Sequence, residues 1–468
     1  SSGMAMAHWE IQGWMILILG WVFVPFYTRS MVYTMPEFLE RRYNPQSRTI
    51  LSVISLVSYV LTKVAVTVYA GGLVFQQVFG IKELWGIDFF WIAAIGLVVL
   101  TALYTIFGGM KSVLYTSVLQ TPILLLGSLI ILVLGFKELG GWDEMMRVCG
   151  AVTVNDYGDT MTNLIRSNDD ANFPWLGALI GSAIIGFWYW CTDQFIVQRV
   201  LSGKNEMEAR RGTIFGAYLK LLPVFLFLIP GMIAFALHQK YIGAGGEGFL
   251  PMLENGTANA DAAFPTLVAK LLPAGVKGLV VCGILAALMS SLASLFNSSA
   301  MLFTIDFYKR FRPQTSEKKL VGIGQVATVV IVILGILWIP IMRSVGDVLY
   351  TYLQDVQSVL ASGIAAAFLL GICWKRTSAQ GGMWGLISGM VIGLTRLGAK
   401  VYYSNAGEVA DSTFKYLFYD MNWLFFCGWM FLFCIIVVIV VSLATEAPTA
   451  EKIQGLVCLL YTSDAADE

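Results

Sequence analysis

Apolar runs of about 20 residues recur along this chain from end to end, each long enough to cross the ~30 Å hydrocarbon core of a bilayer as a helix. They predict about eleven spans. These fall near Trp9–Tyr27, Ile50–Phe79, Phe89–Ile106, Tyr115–Phe136, Pro174–Arg199, Thr213–His238, Val276–Thr304, Leu320–Met342, Val348–Cys373, Gly381–Val401 and Trp423–Val441. Only 13% of the 468 residues are charged, about half the share in soluble domains, and mean hydropathy is +0.73. The expected class is an all-α, multi-pass membrane protein. A single transmembrane domain would cover 1–445, followed by a polar, acidic tail over 446–468. That tail reads either as an artefact of sequence assembly or as an ordinary disordered end. At the other end, "SSGMAMAHWE" reads like the close of an earlier small-residue helix, so the chain is expected to be a piece of a longer one.

Positive charge sets the expected orientation. Arg29, Arg41, Arg42, Arg48, Lys111, Arg199, Lys204, Arg210, Arg211, Lys309, Arg310, Arg312, Lys318, Lys319, Lys375 and Arg376 fall in one set of alternate loops. The opposite set is longer yet poorer in lysine and arginine, so the first set is expected to be cytoplasmic. The Asn255-Gly-Thr257 sequon lies in a loop assigned outside, which agrees.

Several function classes are disfavoured. Net charge is zero, so no basic surface argues for nucleic acid. There is no phosphate-binding G-x-x-x-x-G-K-[ST] loop, and neither H-E-x-x-H nor G-x-S-x-G appears. With only His8 and His238, imidazole chemistry has few candidates. Transport is expected, not enzymology, and polar groups at membrane depth become the suspects.

The stretch "GFWYWCTDQFIVQR" is the first of these. Counting from Pro174, Trp188 lies about 21 Å in and Asp193 about 29 Å in. Trp188, Tyr189 and Trp190 could form an aromatic belt or pack between helices. They could equally offer a flat apolar platform to the C–H face of a sugar ring, with Asp193 and Gln194 taking its hydroxyls. Lys220, followed by the helix-breaking Pro223 and Pro230, could bind solute or snorkel to the interface. Gln354 and Asp355 could line a cavity or simply begin a helix. Glu10 could be interfacial and Lys63 a snorkeller. Ser290, Ser294 and Ser298 recur at every fourth position, with Ser291 and Asn297 beside them. Such hydroxyls could replace the water of a sodium ion or let helices pack closely.

Together "FWYWCTDQFIVQR", "YLKLLPVFLFLIPGM", "LMSSLASLFNSSAMLFTIDFY", "GWVFVPFYTRSMVYTMPEFLERRY" and "ALYTIFGGM" closely resemble the sodium/glucose cotransporter family, within the wider sodium/solute symporters. The resemblance runs to about Val441. It implies a LeuT-like five-plus-five inverted-repeat fold working by alternating access, with the first core helix and the last span largely missing here. It also implies sodium-coupled symport of a monosaccharide of glucose or galactose type. By analogy, Tyr189 would stack on the sugar as inner gate, flanked by Trp188 and Trp190. Lys220, Gln354, Glu10 and Lys63 would sit at sugar-contact positions. Ala287, Ser290 and Ser291 would supply sodium ligands. The resemblance further implies action as a monomer in the lipid bilayer of the plasma membrane, with no nucleic-acid partner.

The departures from the family pattern bear on stoichiometry. Ser117 stands in "YTSVLQT" where members with a second sodium site carry aspartate, and Ala293 replaces a threonine beside Ser294. One sodium per sugar is therefore expected. Thr67 replaces another family carboxylate. An inositol or carboxylate symporter and a non-transporting sugar sensor remain as alternatives. The piece alone, without its first core helix, is expected to be inactive.

Overall fold

A computed structural model describes residues 3–32, 34–253, 256–345, 349–406 and 410–457. Asn255 of the sequon, the Val348 start of one expected span, the side chains of Lys111 and Arg343, and the tail from 458 onward lie outside the described residues.

Helices dominate. Among the described residues nine are long and apolar enough to cross a membrane, from Gly3–Arg29 to Trp423–Ala444. Phe89–Leu103 is a shorter apolar stretch of a longer helix, and Ala379–Asn405 adds a 27-residue helix. Their outer faces are apolar. On the helix Glu317–Val345, Val321, Val326, Val329 and Leu337 are 62%, 65%, 56% and 64% exposed. That pattern suits lipid, which asks nothing polar of a surface.

The helices differ from the expected spans in two places. Phe89–Ile106 and Tyr115–Phe136, predicted as separate spans, lie on one helix, Phe89–Leu139, of 51 residues. At 1.5 Å per residue this is about 77 Å, more than twice a ~30 Å core. Gly108 and Gly109 each lower helix propensity by about 1 kcal/mol against alanine, which does not break the ladder here. Pro174–Arg199, predicted as one span, is broken at Asp193, whose φ of −80° and ψ of 124° are extended.

The chain divides into two compact units. The first takes Ser1–Glu10, Lys63–Trp175 and Lys220–Asn297. Its core gathers Ile131, Leu139, Met145, Ile233, Leu237 and Leu267, all fully buried. A hairpin pairs Glu83 with Asp88. Trp85 and Gly86 at its tip have φ of 55° and 76°, the left-handed pair that a two-residue hairpin turn requires.

The second unit takes Ile11–Thr62, Leu176–Leu219 and Ser298–Glu468. Leu349–Cys373, Ala379–Asn405 and Trp423–Ala444 pack together there. A glycine ridge makes this possible. Gly381, Gly385, Gly389 and Gly393 repeat every four residues on one helix. A Cβ on Gly389 would lie 2.6 Å from the Gly363 Cα, and one on Gly385 would lie 2.4 Å from Val438. In lipid, where apolar area gives no drive to associate, such close backbone approach supplies the packing. The described part of the expected tail contacts this unit: Lys452 Nζ donates to the Glu40 carbonyl, and Ser30 Oγ to the Gly455 carbonyl.

A buried ionic cluster ties this unit together. Asp306 is fully buried. Its Oδ1 accepts from Arg48 Nη2 at 2.5 Å, Arg48 Nε at 2.8 Å and Thr34 Oγ1 at 3.2 Å. Arg48 also reaches Glu40 at 2.5 Å. Among the described residues Asp306 Oδ2 has no hydrogen-bond partner.

Candidate functional site

Three of the expected site stretches fall on or beside π-helical turns. Lys63 lies within the turn Tyr59–Val64, and Trp188, Tyr189 and Trp190 lie within Phe187–Thr192. Lys220 stands at a non-helical turn just before Val224–Leu228. Such turns insert a residue into the helical ladder and are frequent at functional sites. At Lys220 the cause is local. Pro223 and Pro230 have no N–H to donate, so the ladder loosens ahead of each.

In the first unit, Lys220 Nζ bonds the Glu10 carboxylate. Their side chains are 20% and 18% exposed. Lysine snorkelling therefore does not describe Lys220, because its ammonium meets a carboxylate 210 residues away. Lys63 is 9% exposed.

The same unit holds the expected sodium ligands on the helix Ala274–Met301. Ser290 Oγ and Ser117 Oγ are 2.7 Å apart, so the position that departs from the family pattern meets a candidate ligand. Ser290 is 6% exposed, whereas Ser291 is exposed and Ala287 half-buried. The helix runs unbroken through all three. The Ala287 carbonyl thus serves the helical ladder and has only its second lone pair to offer an ion.

The second unit holds the aromatic stretch. Trp188 is buried, at 3% exposure. The Trp188 and Tyr189 rings meet edge-on at 6.1 Å, and Tyr189 and Trp190 at 5.0 Å. Asp193 follows, 4% exposed. Its Oδ1 accepts from the Tyr59 hydroxyl at 2.9 Å and from the Phe195 amide at 3.0 Å, capping the helix Gln194–Leu201. Gln194 Oε1 accepts from the Met35 amide at 2.9 Å. Both polar groups beside the aromatics thereby serve the chain's own backbone and side chains.

Gln354 is 4% exposed on Leu349–Cys373, a helix that packs on the π-helical turn Phe187–Thr192. Among the described residues, Gln354 Oε1 and Trp190 Nε1 are buried without hydrogen-bond partners. Burying a polar atom unpaired costs about 1–3 kcal/mol. Asp355, next to Gln354, takes Arg396 Nε at 3.3 Å and Lys400 Nζ at 2.6 Å. Arg396 also donates to the Met421 carbonyl at 2.8 Å and lies 4.1 Å over the Phe426 ring. Sequence reasoning did not single out Arg396 and Lys400. Their four-residue spacing within an apolar run was the available signal, since cations at that depth need an anion.

Comparison with known proteins gives the family. The model of the sodium:solute symporter family matches residues 1–389, which include every candidate residue named above for solute and sodium. The human (Homo sapiens) sodium/myo-inositol cotransporter 2 is 35% identical over 469 residues, covering 97% of this chain and 68% of the relative. A sodium/glucose cotransporter 4 from Danio rerio is 35% identical, over 97% of this chain and 70% of its own. A sodium/mannose cotransporter from Bos taurus is 37% identical, over 95% and 75%. Among solved structures, a Na+-coupled sialic acid symporter in a substrate-bound outward-open state aligns with a TM-score of 0.68 at 20% identity. It covers 95% of this chain and 86% of that one, and its likeness gives the fold, which is LeuT-like. This multi-pass membrane chain belongs to the sodium:solute symporter family and is a sodium-coupled solute symporter.

Proposed function

We propose that the solute is a neutral polyhydroxylated ring, a monosaccharide of glucose or galactose type, carried with sodium by alternating access. One observation carries this reading: the unpaired Gln354 Oε1 and Trp190 Nε1 lie on packed elements of one unit. One is an acceptor and the other a donor, and neither is charged. A hydroxyl both donates and accepts, so a ring rich in hydroxyls can relieve both penalties while its C–H face lies on an aromatic ring. Trp188, Tyr189, Trp190 and Gln354 are accordingly assigned to solute binding, and Asp193, whose Oδ1 caps the next helix, is assigned to it through its place beside the aromatics. Glu10, Lys63 and Lys220 are assigned to it by the family resemblance. The named relatives are cotransporters of myo-inositol, glucose and mannose, all polyhydroxylated rings, which supports the class. The remaining assignments are action as a monomer in the lipid bilayer of the plasma membrane, without nucleic acid.

Gln354→Ala tests this assignment. A neutral hydrogen bond contributes about 0.5–1.5 kcal/mol net, so solute half-saturation should rise about three- to tenfold with sodium half-saturation unchanged. Equal rises for both, or none for solute, would remove Gln354 from the site.

For sodium, the proposed ligands are Ala287, Ser290 and Ser291, with one ion per solute. A hard monovalent ion can be held by hydroxyl and carbonyl oxygens without a fixed carboxylate. Ser290→Ala should raise sodium half-saturation about fivefold and lower solute uptake at limiting sodium. Uptake that keeps its full sodium dependence in the Ser290→Ala/Ser291→Ala variant would dismiss these ligands. A sodium Hill coefficient near two would dismiss the single-ion stoichiometry.

A further inference from the structure

We infer that the second unit holds one anionic phospholipid in a membrane-facing groove between the helix start Pro45–Ser58, the following π-helical turn, and the helix Glu317–Val345. The groove encloses about 670 Å³. Leu56, Val57 and Val60 form one wall, Phe303 lines it between, and Ile323, Val326 and Leu334 are among the residues of the other. Apart from Lys319, every lining residue is apolar or glycine.

Length, lining and charge each point to a lipid. Gly322 to Leu334 spans about 18 Å along the helix, close to the depth of one leaflet, half of a ~30 Å core. Gly322 opens the groove, since nothing lies within 4 Å of a Cβ built there. A partner helix would want small residues for close backbone approach. These walls instead present mostly branched aliphatic side chains, with Phe303, Lys319, Gly322 and Ala327 the exceptions.

The charge sits at one end. Lys319 lines the groove one turn before Gly322, and its side chain is exposed. The segment 309–319 carries Lys309, Arg310, Arg312, Lys318 and Lys319 against Glu317 alone. Arg310 donates to the Pro45 carbonyl at 2.6 Å, which brings this segment to the start of the facing helix. The nearby carboxylates Glu40 and Asp306 are already taken by Arg48. A cationic rim over an apolar slot one leaflet deep fits an anionic headgroup above an acyl chain. This site is separate from the residues assigned to solute and sodium.

The test uses the full reading frame containing this chain, purified in detergent. It is titrated with phosphatidylglycerol or phosphatidylcholine of identical acyl chains, and single-lipid adducts are read by native mass spectrometry. Phosphatidylglycerol should be retained where phosphatidylcholine is stripped. Lys319→Gln should lower its retention about fivefold, and Gly322→Trp should lower it by filling the slot. If Gly322→Trp does not fold, Val326→Trp takes its place. The inference falls if both lipids are held alike, or if either the charge variant or the slot-filling variant leaves phosphatidylglycerol retention at the wild-type level.

Discussion

Replacing Arg48 by alanine should cost the protein its folded state in detergent. The change removes the two guanidinium donors to Oδ1 of the fully buried Asp306, at 2.5 and 2.8 Å, and takes Arg48 from Glu40. Breaking a buried pair from one side costs about 3–5 kcal/mol, because the surviving charge stays buried and uncompensated. Thr34 Oγ1, at 3.2 Å, is a neutral donor and cannot replace a guanidinium. Stability of a whole domain is only about 5–15 kcal/mol, so the monodisperse peak on size exclusion should be lost or strongly reduced. The double variant Arg48→Gln/Asp306→Asn removes both charges and should recover most of it. An Arg48→Ala protein that elutes and melts like the parent would show that Asp306 is not charged, or not buried, in the working protein.

The second large effect is expected at Lys220. Lys220→Ala strands the Glu10 carboxylate, which is 18% exposed, and removes a proposed solute contact. The stranded carboxylate should lower surface expression, and the lost charged hydrogen bond to solute, about 1.5–3 kcal/mol, should raise solute half-saturation on the order of ten- to a hundredfold. Structural and binding roles separate in the double variant. Lys220→Ala/Glu10→Gln removes the stranded charge, so surface expression should return while uptake stays low. Recovery of uptake in the double variant would make the pair purely structural and take both residues out of the solute site.

What was legible in the sequence follows the range of the signal. Spans were legible because about 20 apolar residues in a row is a local pattern, and the break at Lys220 was legible from Pro223 and Pro230. Asp193 was singled out for its aromatic neighbours. Its capping of Gln194–Leu201 carried a local signal too, an aspartate immediately before a periodic helix. The pairings were not legible. Arg48 and Asp306 are 258 residues apart, Lys220 and Glu10 are 210, and Ser117 and Ser290 are 173. No periodicity links such positions, and only the folded chain brings them together. The merging of two spans into Phe89–Leu139 was missed for another reason. Propensity marks glycine as a weak helix former, while the ladder through Gly108 and Gly109 is set by the whole helix.

The glycine ridge from Gly381 to Gly393 lies between these extremes. Its four-residue spacing was visible, but its partners Gly363, Val438 and Val359 were not.

The most direct measurement is uptake of radiolabelled glucose, galactose and myo-inositol by cells expressing the full reading frame that contains this chain, with sodium or choline outside. One charge moved across 100 mV supplies about 2.3 kcal/mol, so sodium drive should concentrate the solute above its outside level. The account predicts sodium-dependent accumulation of a hexose, competed by the other polyols. Uptake indifferent to the replacement of sodium by choline would contradict it, as would a sugar-evoked current without accumulation.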